Sequence, residues 1–191
     1  MIKVGVLDLQ GSVIEHINML NSIDGVIPIR VKHVEQLKEI DGLILPGGES
    51  TTIGKLLRMF NLDAILKERI EEGMPVWGTC AGMILLAKSI DGQEEAHLNV
   101  MDINVKRNAY GSQLDSFVVD EKISEISEKN IPLVFIRAPY IQDVGEKVKI
   151  IKKVNGNIVA AKEKNMLVTS FHPELTEDDS VHRYFINSFF S

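Results

Sequence analysis

The chain has one cysteine in 191 residues, so an internal disulfide is excluded and a reducing compartment fits. It has no block of basic residues, and a net charge of −6 argues against a nucleic-acid footprint. No stretch approaches the ~20 consecutive apolar residues of a membrane span. The opening, Met1-Ile2-Lys3-Val4-Gly5-Val6-Leu7-Asp8, is too short and too acid-interrupted for a signal peptide. Repeats, low-complexity tracts and linkers are lacking. No Cys/His cluster has metal-ligand spacing, and Gly54-Lys55-Leu56 does not supply the end of a phosphate loop. The expectation is one domain over residues 1–191, soluble and cytoplasmic, with no metal, cofactor, nucleic acid or membrane.

What is present begins with a β–α alternation. Ile2–Leu9 is dense in apolar and β-branched residues and reads as a buried strand. Ser12 is placed to cap a helix through about Ser22. Strands are expected at Val26–Val31, Gly42–Leu45 and from Val76. Helices are expected after Ser50 or Thr51 as cap, over Leu62–Glu72, and from Ala81 through the apolar run to Ala87. This order argues a parallel sheet covered by helices. The second half alternates instead: Val100–Val105, Phe117–Val119, Leu133–Ile136, Val148–Val154, Ile158–Ala161 and Met166–Phe171 read as strands. Asn155-Gly156 is a hairpin signal, and the last helix runs from Asp178 to Phe190. The fold class is therefore α/β, a three-layer flavodoxin-like sandwich. Its mostly parallel central sheet carries antiparallel additions in the second half.

The lone cysteine sits in Gly78-Thr79-Cys80-Ala81-Gly82, between the strand Pro75-Val76-Trp77 and the apolar helix Met83-Ile84-Leu85-Leu86-Ala87. A nucleophile on a strained strand-to-helix turn, flanked by glycines because a Cβ there would strike neighbouring chain, is a nucleophile elbow. Such a sulfur needs a base. Among five histidines, only His172 leaves a strand directly into a constrained tripeptide, His172-Pro173-Glu174, with a carboxylate two residues on. Nucleophile, base and orienter are then Cys80, His172 and Glu174. His16 and His182 fall on helices and read as solvated positions. Oxyanion donors are sought in the N–H of Ala81 and in the glycine turn Pro46-Gly47-Gly48-Glu49-Ser50 at a strand's carboxyl end.

These residues resemble the class I, triad-type glutamine amidotransferases. Within them the likeness narrows to the glutaminase subunits of pyridoxal 5'-phosphate synthases. It rests on Gly5-Val6-Leu7-Asp8-Leu9-Gln10-Gly11, Leu45-Pro46-Gly47-Gly48-Glu49-Ser50-Thr51-Thr52 and the cysteine turn. It continues through Arg107-Asn108-Ala109-Tyr110-Gly111, Phe135-Ile136-Arg137-Ala138-Pro139 and His172-Pro173-Glu174-Leu175. The resemblance implies hydrolysis of L-glutamine to L-glutamate and ammonia through a γ-glutamyl thioester on Cys80. It implies glutamine binding by Gly48, Glu49, Ser50, Arg107, Ile136 and Arg137, and backbone oxyanion donors at Gly48 and Ala81. It also implies a partner: a (β/α)8-barrel synthase subunit that receives the ammonia through its interior and activates the glutaminase. Three other readings remain. One is the glutaminase of another amidotransferase, such as imidazole glycerol phosphate synthase. The second is a stand-alone cysteine hydrolase of the flavodoxin-like superfamily. The third is a silent scaffold on the same fold.

Overall fold

The structure, a computed structural model, describes residues 1–108 and 116–190. Ala109, Tyr110 and Gly111 of the Arg107 segment lie outside the described residues. The first half runs β1 (Ile2–Leu7), α1 (Val13–Asn21), β2 (Val26–Val31), α2 (Val34–Glu39), β3 (Gly42–Leu45), α3 (Ser50–Met59), α4 (Asp63–Glu71), β4 (Val76–Thr79) and α5 (Ala81–Leu86). The second half runs β5 (Ala87–Ile90), β6 (Met101–Lys106), β7 (Ser116–Lys122), β8 (Asn130–Ile136), β9 (Tyr140–Val144), β10 (Lys149–Val154), β11 (Asn157–Glu163) and β12 (Met166–Thr169). A 3₁₀ turn (Pro173–Leu175) and α6 (Ser180–Phe189) complete it.

Among the described residues the main sheet has ten strands in the order β2-β1-β3-β4-β12-β11-β9-β6-β5, with β10 paired to β11. β2, β1, β3, β4 and β12 are mutually parallel, with Leu45 opposite Gly78 and Thr79 opposite Thr169. From β12 outward the pairings of β11, β10, β9 and β6 are antiparallel. β7 and β8 form a separate antiparallel hairpin.

Successive strand residues face opposite sides of a sheet, and the inner parallel strands β3, β4 and β12 bury both. Leu43, Leu45, Val76 and Val168 join one apolar cluster with residues of α2, α3, α4 and α5. Ile44, Trp77 and Leu167 join the other, with α1, α6 and the β7–β8 hairpin. This is the expected three-layer sandwich with an antiparallel extension. Asn155 and Gly156 take the expected hairpin turn, both at positive φ (50° and 82°), as a two-residue primed turn requires.

Three elements escape the sequence pattern. α2 buries only Leu37, too little to show a period. β9 buries only Ile141. α5 buries all six of its residues, so nothing in the apolar run marks where helix gives way to β5 at Ala87. Two caps also differ. Glu49, not Ser50 or Thr51, caps α3, its carboxylate accepting the N–H groups of Thr51 and Thr52 at 3.1 and 2.7 Å. Ser12 stands at the N-cap of α1, but its hydroxyl is turned to another partner in the site.

Candidate active site

The carboxyl ends of β1, β3, β4 and β12 converge on one edge of the sheet, the usual place for a site in an α/β fold. Cys80 stands there between β4 and α5 with φ 48° and ψ −100°, a backbone conformation costly for a side chain other than glycine. Its N–H donates to the Thr169 carbonyl at 2.8 Å, and its own carbonyl accepts the Met83 N–H at 3.1 Å. The turn is thus held by the neighbouring strand and by the helix it starts. Both flanking glycines are sterically required. A Cβ on Gly78 would lie 2.4 Å from the Gly82 carbonyl carbon, and one on Gly82 would lie 2.1 Å from the Leu45 oxygen.

His172 leaves β12 with its N–H donating to the Val134 carbonyl of β8 at 2.8 Å. The 3₁₀ turn that follows folds Glu174 back, so that His172 Nδ1 lies 2.7 Å from Glu174 Oε1. The same Oε1 accepts the Ser12 hydroxyl at 2.6 Å. The glycine turn after β3 covers the imidazole: a Cβ on Gly47 would sit 2.3 Å from His172 Cε1.

Burial opposes charge on His172, but the Cys80 sulfur and the Glu174 carboxylate outweigh it and push the imidazole up to about 10. The His172 imidazole therefore keeps its proton at neutral pH. Burial likewise opposes charge on Glu174, yet its carboxyl is held down at about 2. His16 is prominent among the favourable neighbours, but burial drives its own value down, so at neutral pH the lasting support comes from His172 and Ser12. The sign of the pH dependence follows. The stability that Glu174 contributes is fully present above 4.5 and fades as pH falls from there toward about 2. That of His172 is fully present below 6.5 and fades as pH rises toward about 10. The Tm advantage of the native chain over Glu174→Gln therefore narrows on acidification below 4.5. A gap unchanged over that range would show that Glu174 is not ionised in the folded chain.

Cys80 and His172 border an open cavity of about 530 Å³, a volume suited to a small ligand. Gly48, Glu49, Ser50, Ala81, Arg107, Ile136 and Arg137 all line it; Glu174 stands behind His172, outside it. Ser50 Oγ is buried and has no hydrogen-bond partner among the described residues. The Ala81 N–H is in the first turn of α5 and has no intrahelical acceptor. The Ile136 carbonyl lies 4.0 Å from Cys80 Sγ. The two arginines differ. Arg107 pairs with Glu49 at 3.2 Å and reaches the Thr51 hydroxyl at 3.3 Å. Arg137, exposed and at φ 41°, has no ion pair among the described residues. Glu49 itself is held at about 2, chiefly by the Thr52 hydroxyl and then by the two backbone N–H groups it caps. Among the described residues no group of His, Cys, Asp or Glu is arranged to hold a metal ion.

Some residues of the site were not assigned a place in it from the sequence. Gln10 Oε1 accepts the Glu49 N–H at 2.8 Å and fills the space a Gly48 Cβ would need. Ser12 was legible only as a helix cap. His16 and His182, read as solvated, are both fully buried behind Glu174. His16 follows Val13 at the i+3 spacing of the buried face of α1, a position that predicts burial more firmly than its polarity predicts exposure.

A cysteine elbow and a His-Pro-Glu turn meeting at the carboxyl edge of this sheet define the class I glutamine amidotransferase architecture. Residues 6–191 match the SNO glutamine amidotransferase family, and the chain belongs to that family. It is 66% identical over 189 residues to the pyridoxal 5'-phosphate synthase subunit PdxT of Clostridium botulinum, covering 99% of this chain and 98% of that one. It is 57% identical over 183 residues to the subunit of the same name from Ruminiclostridium cellulolyticum, covering 96% and 97%. A crystal structure described as a glutamine amidotransferase superposes with a TM-score of 0.92 at 42% identity, covering 98% of this chain and 99% of that one. No helix among the described residues is long and apolar enough to cross a membrane.

Proposed function

We propose that the chain, as one glutaminase domain, hydrolyses L-glutamine to L-glutamate and ammonia and delivers the ammonia to a pyridoxal 5'-phosphate synthase barrel subunit in the cytoplasm. The carrying observation is the Cys80–His172–Glu174 arrangement at the cavity, with His172 Nδ1 2.7 Å from Glu174 Oε1, in a chain 66% identical to a subunit of such a synthase.

Cys80 Sγ attacks the side-chain carboxamide carbon, and the carbonyl electrons move onto oxygen. The N–H groups of Ala81 and Gly48 receive that oxyanion. Collapse breaks the C–N bond, with His172 giving its proton to the leaving nitrogen, so that ammonia departs and a γ-glutamyl thioester remains. Water then adds while His172 takes its proton, and loss of the sulfur releases glutamate. Glu174 orients the imidazole and stabilises its charge throughout. Free in water at neutral pH the ammonia would take a proton and lose its nucleophilicity, so transfer inside a docked partner is the productive route.

Glutamine brings a carboxylate that needs a cation. Arg137, with no ion pair among the described residues, is placed to supply it, while Arg107 braces Glu49 beside the Ser50 hydroxyl. Removing one charged hydrogen bond of about 1.5–3 kcal/mol raises KM about 10- to 100-fold. Arg137→Ala is expected to do so with kcat little changed, and an unaltered KM would remove Arg137 from the pocket. The function itself is tested by glutamate release from the purified chain, alone and mixed with a pyridoxal 5'-phosphate synthase barrel subunit. Release that rises with that partner supports the reading. Equal release with and without the partner overturns the pathway assignment, and none in either condition overturns the activity.

A further inference from the structure

Behind the triad lies a second set of polar groups that the reaction as described does not use. Glu174 Oε1 is taken by Ser12 and His172, but the buried Oε2 has no hydrogen-bond partner within ordinary range among the described residues. His16 Nε2 faces it at 3.5 Å, and both side chains are fully shielded from solvent. The same Nε2 lies 3.3 Å from the Thr79 hydroxyl, and His16 Nδ1 lies 2.9 Å from His182 Nε2. The far nitrogen of the set, His182 Nδ1, is buried and has no partner among the described residues. Trp77 packs edge-on against both rings, at 5.6 Å from His16 and 4.8 Å from His182, and fixes their planes.

The orphan nitrogen settles where the protons are. A neutral imidazole carries one N–H and one lone pair. If the proton of His182 were on Nδ1, a donor would be stranded in the core, which is the more costly arrangement. On Nε2 it reaches His16 Nδ1. That nitrogen must then accept, so the proton of His16 stands on Nε2, facing Glu174 Oε2 and the Thr79 oxygen. Burial holds both rings in their uncharged form. The charged groups facing the pair are Glu174 and His172 from the catalytic turn and Glu15 from α1.

We propose that His182 and His16 form a buried two-imidazole relay that positions Glu174, with His182 Nε2–H donating to His16 Nδ1 and His16 Nε2–H directed at the outer carboxylate oxygen. Through it α6 and α1 hold the carboxylate that holds His172. Both histidines are positioning residues: neither touches glutamine. The inference rests on the glutaminase reading for its kinetic consequences, but its proton placement stands on this geometry alone.

The test has two arms. The first is a ¹⁵N long-range correlation spectrum of the labelled chain at neutral pH, which reads the tautomer of each histidine without any activity. Nε2–H forms at both His16 and His182 are the expected result. An Nδ1–H form or an imidazolium at either one overturns the relay. The second arm is glutamine hydrolysis by the complex with the synthase barrel subunit. His16→Leu keeps an apolar side chain but loses the donor. It is expected to lower kcat about 10- to 100-fold, as loss of a partner behind a metal ligand does, with KM within about twofold of the native value. His16→Gln, whose amide nitrogen takes the place of Nε2, is expected to recover most of that loss. Equal losses in the Leu and Gln variants, or a KM that moves with kcat, overturn the positioning role. If His16→Leu does not fold, the Gln variant and the spectrum decide. A native complex that fails to hydrolyse glutamine refutes the glutaminase reading, whereas the tautomer result tells separately on the relay.

Discussion

Cys80→Ala is expected to abolish glutamine hydrolysis by the complex with the synthase subunit while the complex still assembles. Among the described residues no other side chain at the cavity substitutes for the sulfur: the chain has no second cysteine, the Ser50 hydroxyl has no hydrogen-bond partner, and the Ser12 hydroxyl is committed to Glu174. Losing the nucleophile of a triad costs on the order of 10⁴- to 10⁶-fold in kcat, because base and orienter have nothing left to act on. For the same reason adding His172→Asn to Cys80→Ala is expected to lose nothing more. The fold should barely register the change. Cys80 is held by its backbone, through Thr169 and Met83, and its sulfur faces the Ile136 carbonyl, at 4.0 Å, and the His172 ring. Stability stays within about 1 kcal/mol, as for small substitutions that open no large void. A second consequence is electrostatic. Without the sulfur beside it, His172 loses one of the two groups that raise it and keeps Glu174, so its value falls from about 10. Glutamate release by the variant complex, its assembly by sedimentation and an NMR titration of His172 check the three parts. Turnover above a hundredth of the native rate would sink the nucleophile assignment, at about 2.7 kcal/mol where the mechanism requires far more.

What the sequence revealed and what it hid divide along the range of the interactions. β3 was legible to the residue, because a parallel strand buried on both faces reads as an uninterrupted apolar run ending in turn residues; the edge strand β2 was legible to the residue too, from its Val and Ile content after Gly25. The Cys80 turn and the His172–Glu174 pair were legible for the same reason: each is a local arrangement of a few consecutive residues. Contacts between distant segments left no such trace. Ser12 and Glu174 are 162 residues apart, so a serine placed to cap α1 gave no hint that its hydroxyl serves the carboxylate instead. His16 and His182 are 166 apart and pair only because α1 and α6 share one face of the sheet. A polar residue on a helix reads as solvated unless its partner is known, and the partner is a tertiary fact. The division of labour between the arginines is of this kind too, since the Glu49 that engages Arg107 lies 58 residues before it in the chain.

The elbow's glycines make the connection between fold and chemistry measurable. Gly82→Ala should unfold or severely destabilise the chain, whereas Cys80→Ala two residues away leaves it intact. A Cβ on Gly82 would stand 2.1 Å from the Leu45 oxygen and 3.0 Å from its carbonyl carbon. The obstacle is main chain in the middle of the sheet, with Leu45 paired to Gly78 and fully buried, so no side-chain rotation relieves it. Relief requires α5 to lift from β3, and that separates Leu85 and Leu86 from the core and drags the Cys80 turn with them. Ordinary overpacking costs about 1–3 kcal/mol. A backbone obstacle at this distance exceeds that range and removes a large part of the roughly 5–15 kcal/mol that holds a domain folded. Gly25→Ala is the comparison that isolates the cause. Gly25 has φ 82°, but nothing lies within 4 Å of where its Cβ would be. Its substitution carries only the conformational penalty of about 1–2 kcal/mol. If Gly82→Ala melts no lower than Gly25→Ala, α5 is not pressed on β3 as tightly as this geometry requires. The strained backbone of Cys80 would then need another source of support. If it melts far lower, the close approach of α5 and β3 is what holds the nucleophile in a conformation it would not otherwise keep.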